Sequence, residues 1–203
     1  MKQSMPDFKN IRVFFSKCGN AKYISHLDLY RAMSRAVKRS AIPAWITEGF
    51  NPHVYMTFAL PLALGIEGGK ESVDLRITED VGFDELSERL DSSMPPGLRV
   101  LQIDEPFRKA AEIKKAGYAI CGGGVLLEEY LHRPEIKIEK KTKRSCQIID
   151  VKPFMEWDNG VMTLPAGNEL NINPWNLLNS LDGVEVTGIK RVAILCSDGE
   201  EFR

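Results

Sequence analysis

In the first half of the chain the apolar positions switch between a period of two and a period near 3.6, and the switches mark out the predicted elements. Residues 11–17, IRVFFSK, are rich in β-branched and aromatic side chains and predict a strand that ends at Gly19-Asn20. Leu29, Met33, Ala36 and Val37 then recur at helical spacing. Ser25 with Asp28 three residues on marks the start of that helix as a capping box with Asp in place of Glu, and Pro43 stops it. Residues 53–60, HVYMTFAL, and 71–78, ESVDLRIT, predict two further strands joined as a hairpin through Pro61, Gly65 and Gly68-Gly69. In residues 83–94 Phe83, Leu86 and Leu90 share one stripe, which predicts a second helix, and after Pro95-Pro96-Gly97 the run LRVLQI predicts a fourth strand.

The resulting order, βαββαβ, is that of a ferredoxin-like split βαβ sandwich: an antiparallel sheet with both helices on one face and the other face open to a partner. The second half repeats it less regularly. KAGYAIC is a strand, GVLLEEYLH a short helix, EIKIEKKT, QIIDVKPFMEW and GVMTLPAG are strands, NPWNLLNSL is a helix with Pro174 in its first turn, and VEVTGIKRVAIL closes with a strand. The expected fold class is therefore α+β, with two ferredoxin-like units in tandem over residues 1–108 and 109–203. No residue-level repeat accompanies the repeated order.

Composition narrows the classes of function. With 43% hydrophobic and 27% charged residues among 203, the chain is of ordinary globular type. Twenty-seven Lys and Arg against 28 Asp and Glu leave a formal charge of -1, so no global field draws in a polyanion, and a polyanion site has to be a local patch. Cys18, Cys121, Cys146 and Cys196 are far apart and form no CxxC, zinc or iron–sulfur spacing, as expected of free thiols in a reducing cytoplasm. No apolar run approaches the roughly 20 residues of a membrane span and the N-terminus has no apolar signal core, so a cytoplasmic protein with no membrane partner is expected.

Two basic patches stand out. Arg31, Arg35, Lys38 and Arg39 lie opposite the apolar face of the first helix with Lys22 just upstream, and no acidic residue follows Asp28 to neutralise them. A second run, KIEKKTKR at 137–144, brings Lys140, Lys141, Lys143 and Arg144 to an expected hairpin turn. If four or five of these charges met a single-stranded backbone, log affinity would fall with log salt at a slope of about -3. Each patch has a plainer alternative: a solvated helix face for the first, and a charged hairpin edge that resists pairing for the second.

His26, at the start of the first helix, and His53, in the stretch EGFNPH, are the candidate acid–base residues. A positive helix N-terminus would disfavour the charged form of His26. Ser25, Asp28 and Asn51 are read as residues that order the two loops, with Asn51-Pro52 supplying turn chemistry. The alternative for both histidines is local structural hydrogen bonding. Two histidines and one carboxylate without HxH or HxxxH spacing argue against a metal, and no cofactor is expected. GIEGGKES has three glycines but lacks the strand-to-helix context and GK[ST] of a phosphate loop.

The segments KYISHLDLYRAMSRAVKRS, EGFNPHVYMTFALPLALGIEGGKESVDLRI and IIDVKPFM together resemble the radical-SAM-linked protein family, a bacterial domain that occurs alone or fused behind a radical S-adenosylmethionine protein. The resemblance runs through most of the first half and, in the second, rests mainly on KTKR and IDVKPF. It implies association with a radical S-adenosylmethionine enzyme, in cis or in trans, rather than radical chemistry in this chain. The leading expectation is thus a non-catalytic RNA-binding or adaptor module serving such an enzyme in RNA or ribosome-associated modification. A fold-level analogy with tandem ferredoxin-like RNA-processing proteins offers an alternative, a metal-independent ribonuclease with His26 as general acid or base and the arginine row holding phosphates. A protein-interaction scaffold is the third.

Overall fold

The computed structural model describes residues 8–141, 146–167 and 169–203, which fall into two compact units, one running to Ala110 and taking in Arg203, the other Ala111–Phe202. The first unit comprises β1 (Lys9–Lys17), α1 (His26–Arg39), β2 (Met56–Phe58), β3 (Glu67–Ile77), α2 (Phe83–Ser92) and β4 (Leu98–Asp104). Its strands lie antiparallel in the order β4-β1-β3-β2.

Alternation along the strands decides what each face buries. Ile11, Val13 and Phe15 of β1 and Val73, Leu75 and Ile77 of β3 form one face, and onto it pack Leu29, Met33, Ala36 and Val37 of α1 and Leu86 and Leu90 of α2. The helices are fastened at their ends by reciprocal arginines. Arg89 of α2 donates to the carbonyls of Ser40 and Ala41 beyond the end of α1, and Arg39 of α1 donates to the carbonyl of Ser93 at the end of α2. Each guanidinium thereby satisfies carbonyls that a helix end leaves without an intrahelical donor.

The intervening residues face the other way and make one polar row straight across the sheet: Asp104 of β4, Arg12 of β1, Asp74 of β3 and Thr57 of β2 are cross-strand neighbours. Arg12 is only 1% exposed. Its Nε and Nη2 donate to the two carboxylate oxygens of Asp74 at 2.7 and 2.9 Å, and its remaining donors reach the carbonyls of Arg203 (2.6 Å) and Arg108 (2.9 Å). A cleft of about 620 Å³ opens beside this pair, with Tyr55, Thr57 and Asp74 on one side and the 105–110 segment on the other.

Two predicted strands are reshaped. The run 53–60 pairs as a strand only over β2; ahead of it residues 44–55 fold back on themselves, with the bridge Ile46 to Val54 and hydrogen bonds from Thr47 N to His53 O and Tyr55 N to Trp45 O. QIIDVKPFMEW was expected as one strand and is two. Asp150 Oδ1 accepts from the N–H of Lys152 and of Ile136, and Pro153 sits in a 3-10 turn over Lys152–Phe154 that splits the run. An Asx-type bond and a proline with no N–H to donate both oppose a continuous ladder.

The second unit comprises β5 (Ile113–Gly122), α3 (Gly124–Leu131), β6 (Lys137–Lys141), β7 (Cys146–Asp150), β8 (Glu156–Asp158), β9 (Val161–Pro165), α4 (Pro174–Leu178) and β10 (Val186–Cys196). Its main sheet has four strands, and the extra pair of strands lies outside it. The antiparallel order is β10-β5-β9-β8, while β6 and β7 pair apart as a two-stranded sheet. The broken run explains this: β7 stays with β6, and β8 begins afresh beside β9. The molecule is α+β, with predominantly antiparallel sheet and few helices.

Asp74→Ala leaves a buried guanidinium without its carboxylate and is expected to lower unfolding stability by about 3 kcal/mol, read from urea denaturation. Arg12→Met, which removes the charge along with the pair, is expected to lose less. Equal losses in the two variants would contradict a charge-burial origin.

Candidate functional site

The start of α1 is built from three strands. Lys17, buried at the end of β1, donates from Nζ to the carbonyl of Ile24, one residue before the cap. Between them a 3-10 turn, Gly19–Tyr23, is pinned by Cys18 N to Gly97 O, by Gly19 N to Glu67 Oε1 at 3.1 Å, and by Gly65 N to Lys22 O. Gly97 has φ of +85°, and a β-carbon there would come within 2.7 Å of the Cys18 carbonyl, so this close approach requires glycine.

Ser25 is the N-cap: its hydroxyl accepts from Asp28 N at 3.1 Å and donates to Asp28 Oδ2 at 2.7 Å. The Asp28 carboxyl titrates below its ordinary value, chiefly because the Ser25 hydroxyl donates to it; partial desolvation opposes this, and Arg31 at 3.3 Å adds to the lowering. Asp28 is thus spent on the cap and on Arg31.

His26 opens α1 and is exposed; its ring meets the Phe58 ring edge-on, centroids 5.0 Å apart. Tyr30, one turn further, tilts against the same Phe58 and donates from its hydroxyl to the carbonyl of Val54. His53 belongs to a different local structure. Its Nδ1 lies 2.8 Å from the Asn51 carbonyl and 3.0 Å from Thr47 Oγ1, and its backbone N–H donates to that same hydroxyl. Because a carbonyl only accepts, Nδ1 carries the proton and Nε2 alone is left for any other partner. Among the described residues no hydrogen bond joins His26, His53 and Asp28 in any combination. Asn51 orders its loop through its backbone carbonyl, a role its side-chain type did not signal.

The exposed side of α1 carries Arg31, Arg35, Lys38 and Arg39. Arg31 pairs with Asp28, Arg39 donates to a neutral carbonyl, and among the described residues no carboxylate lies within ion-pair reach of Arg35 or Lys38. Lys22 is 3.9 Å from Glu67 and lies over the Tyr23 ring, so its charge is partly offset. Leu27, in the first turn of α1, and Tyr23, in the 3-10 turn ahead of the cap, are also exposed. Lys140 and Lys141 lie on β6 by their backbone. Their side chains, with Lys143 and Arg144, lie outside the described residues. Among the described residues no three His, Cys, Asp or Glu gather as metal ligands and no helix is long and apolar enough to cross a membrane.

Sequence reasoning missed the aromatic base of the EGFNPH turn. Arg76 of β3 holds its guanidinium 4.0 Å from the ring centres of both Phe8 and Tyr55 and 5.2 Å from that of Trp45, while Trp45 and Phe8 stack at 5.4 Å. The available signal was Trp45 and Tyr55 flanking the turn at matched distances from it.

Residues 10–174 match the family described as "Uncharacterized protein conserved in bacteria (DUF2344)", and the chain belongs to that family. A search of the curated proteins found no match. The resemblance read from the sequence is thereby met at the level of a conserved bacterial family.

A carboxylate whose folded-state pKa is lowered adds stability above its ordinary range near 3.8, and that contribution is lost as pH falls through the folded value. Ser25→Ala removes the first cause of the lowering. The Asp28 carboxyl, followed by NMR, is expected to titrate at higher pH in the variant, and the acid limb of the stability curve to flatten. An unmoved midpoint would contradict the cap geometry.

Proposed function

We propose that this DUF2344 member is a non-catalytic RNA-binding module that offers the basic row of α1 to a single-stranded backbone. The observation that carries this reading is the row itself: Arg31, Arg35, Lys38 and Arg39 are exposed along α1 with one carboxylate, Asp28, among them. On a chain of formal charge -1, such a local excess favours phosphate contacts over general attraction. Exposed Tyr23, in the 3-10 turn ahead of α1, is a ring of the kind on which bases stack. The βαββαβ order with strand order β4-β1-β3-β2 supports reading the first unit as ferredoxin-like, with α1 on the helix side of its sheet. The second unit's order β10-β5-β9-β8 follows the same last-first-third-second arrangement, with the β6–β7 pair inserted after α3, which supports reading it as a second such unit.

The proposal extends to a cytoplasmic partner, a radical S-adenosylmethionine enzyme acting in RNA or ribosome-associated modification. Its support is the resemblance carried by SHLDL, GFNPH and IDVKPF. A ribonuclease reading finds less support, since His26 packs on Phe58 and His53 has committed Nδ1 within its own turn.

Three phosphate contacts predict that log affinity for single-stranded RNA falls against log salt with a slope of about -2. The triple variant Arg31→Glu, Arg35→Glu, Lys38→Glu is expected to bind at least about tenfold more weakly and to lose most of that slope, measured by fluorescence anisotropy. Unchanged binding would leave the scaffold reading in its place, and cleavage in EDTA that His26→Ala abolishes would replace it with the ribonuclease.

A further inference from the structure

Asp74 and Arg76 lie two apart on β3 and so share the sheet face turned away from the helices, but only one of them is paired. The Asp74 carboxylate accepts from Arg12 through both oxygens. Arg76, half-buried, has three rings around it and no acceptor. Its guanidinium carbon lies 4.0 Å from the ring centres of Phe8 and Tyr55 and 5.2 Å from that of Trp45. Its Nε is buried without a hydrogen-bond partner, and among the described residues no carboxylate lies within ion-pair reach of it. Rings engage the face of a guanidinium, whereas its N–H donors lie in the plane, so the aromatic contacts leave its hydrogen-bonding capacity unspent. A buried donor without an acceptor is costly and rare in a folded protein.

Arg76 also lies between two residues of the cleft beside the Arg12–Asp74 pair. Asn10, its cross-strand neighbour on β1, and Tyr55, whose ring it meets, both line that cleft of about 620 Å³, and so does Thr57. The volume is that of a small-molecule site. Asn10, Tyr55 and Thr57 bring an amide and two hydroxyls to it, and none of these groups is hydrogen-bonded among the described residues.

We propose that this cleft binds a small molecule with a hydroxyl-bearing body and one terminal oxyanion, phosphate or carboxylate, and that Arg76 takes the oxyanion through its in-plane donors. Charge favours an anion. The carboxylates of the cleft are already matched, Asp74 by Arg12 and Glu105 by Lys9 at 3.4 Å, while Arg76 is not. The body follows from the amide and the hydroxyls, which donate and accept as a polyol's own hydroxyls do. The rings fix the guanidinium beforehand, so little side-chain freedom is lost on binding. Because α1 packs on the opposite face of the sheet, the site is separate from the basic row and independent of the RNA reading.

The test follows the Trp45 indole N–H of the full chain by NMR during titration with ribose phosphate, ribonate and ribose, since Trp45 touches Arg76. Ribose phosphate or ribonate is expected to shift the signal along a saturating curve, and the tighter of the two identifies the oxyanion. Ribose, without the charge, should bind at least about tenfold more weakly. Arg76→Lys keeps a positive charge but loses the planar fork, and should weaken the anion by about tenfold or more. Thr57→Val, at an exposed position of β2, should weaken it by about 3- to 10-fold, and reads the cleft even where the Arg76 variant does not fold. Saturation by none of the probes, ribose binding as tightly as ribose phosphate and ribonate, or wild-type affinity in either folded variant would overturn the proposal.

Discussion

A guanidinium removed from water has to find an acceptor for each of its donors, and in the first unit that requirement organises much of the structure. Arg12 lies in the middle of β1, on the face turned away from the helices, and is almost wholly covered. Asp74 takes two of its hydrogen bonds in the bidentate geometry that arginine and carboxylate favour. The other donors reach the carbonyls of Arg108 and Arg203, so the charge draws together two strands, the segment after β4 and the end of the chain. The pair also specifies register, because slipping β1 by one residue against β3 would turn Arg12 towards Val13's side of the sheet and into the apolar core. Ion pairs of this kind are uncertain contributors to net stability, but breaking one leaves a buried charge, which makes the alternatives worse.

With the register held, the two loops of interest follow from local bonds. Lys17 ends β1 by reaching the carbonyl before Ser25, which sets where α1 begins. Arg76, two residues beyond Asp74 on β3 and hence on the same face, holds the rings under the EGFNPH turn. Polar and aromatic contacts of one sheet face thus support the loop that exposes Phe50, while the apolar face of the same sheet carries α1 and its basic row. His53 gains a structural task from this: its proton on Nδ1 goes to a carbonyl two residues back, as in a side chain that shapes its own turn.

Local features were legible in the sequence in proportion to how local they are. The Ser25–Asp28 cap and the periodic face Leu29, Met33, Ala36, Val37 involve residues within a few positions of one another, and each is found in the structure where the pattern puts it. Pro153 is a local signal against the single strand expected over 147–157, since a proline inside an apolar run cannot donate to a ladder. The Arg12–Asp74 pair joins residues 62 apart, and an isolated charge in an alternating strand normally signals a wet face. Arg12 is buried where Arg108, after β4, and Arg203 bring their carbonyls to it, and no pattern in β1 encodes that. The same applies to His26, whose partner Phe58 lies in a strand that the sequence placed but did not orient towards α1.

The balance of charge says something about how such a surface would operate. With a formal charge of -1 overall, the chain has no net field to draw in a polyanion, and favourable contacts have to be local, as on the row of α1. About three phosphates and a stacked base make a weak and salt-sensitive grip on a single strand. A grip of that strength becomes selective only when something else brings the same RNA close, because tethering turns a weak second contact into an intramolecular one at an effective concentration in the millimolar range. An orienting module on an enzyme that holds the RNA elsewhere meets that condition, whereas a free-standing RNA-binding protein with this surface does not. The physical economy of the patch therefore favours the partner-dependent form of the proposal over the autonomous one.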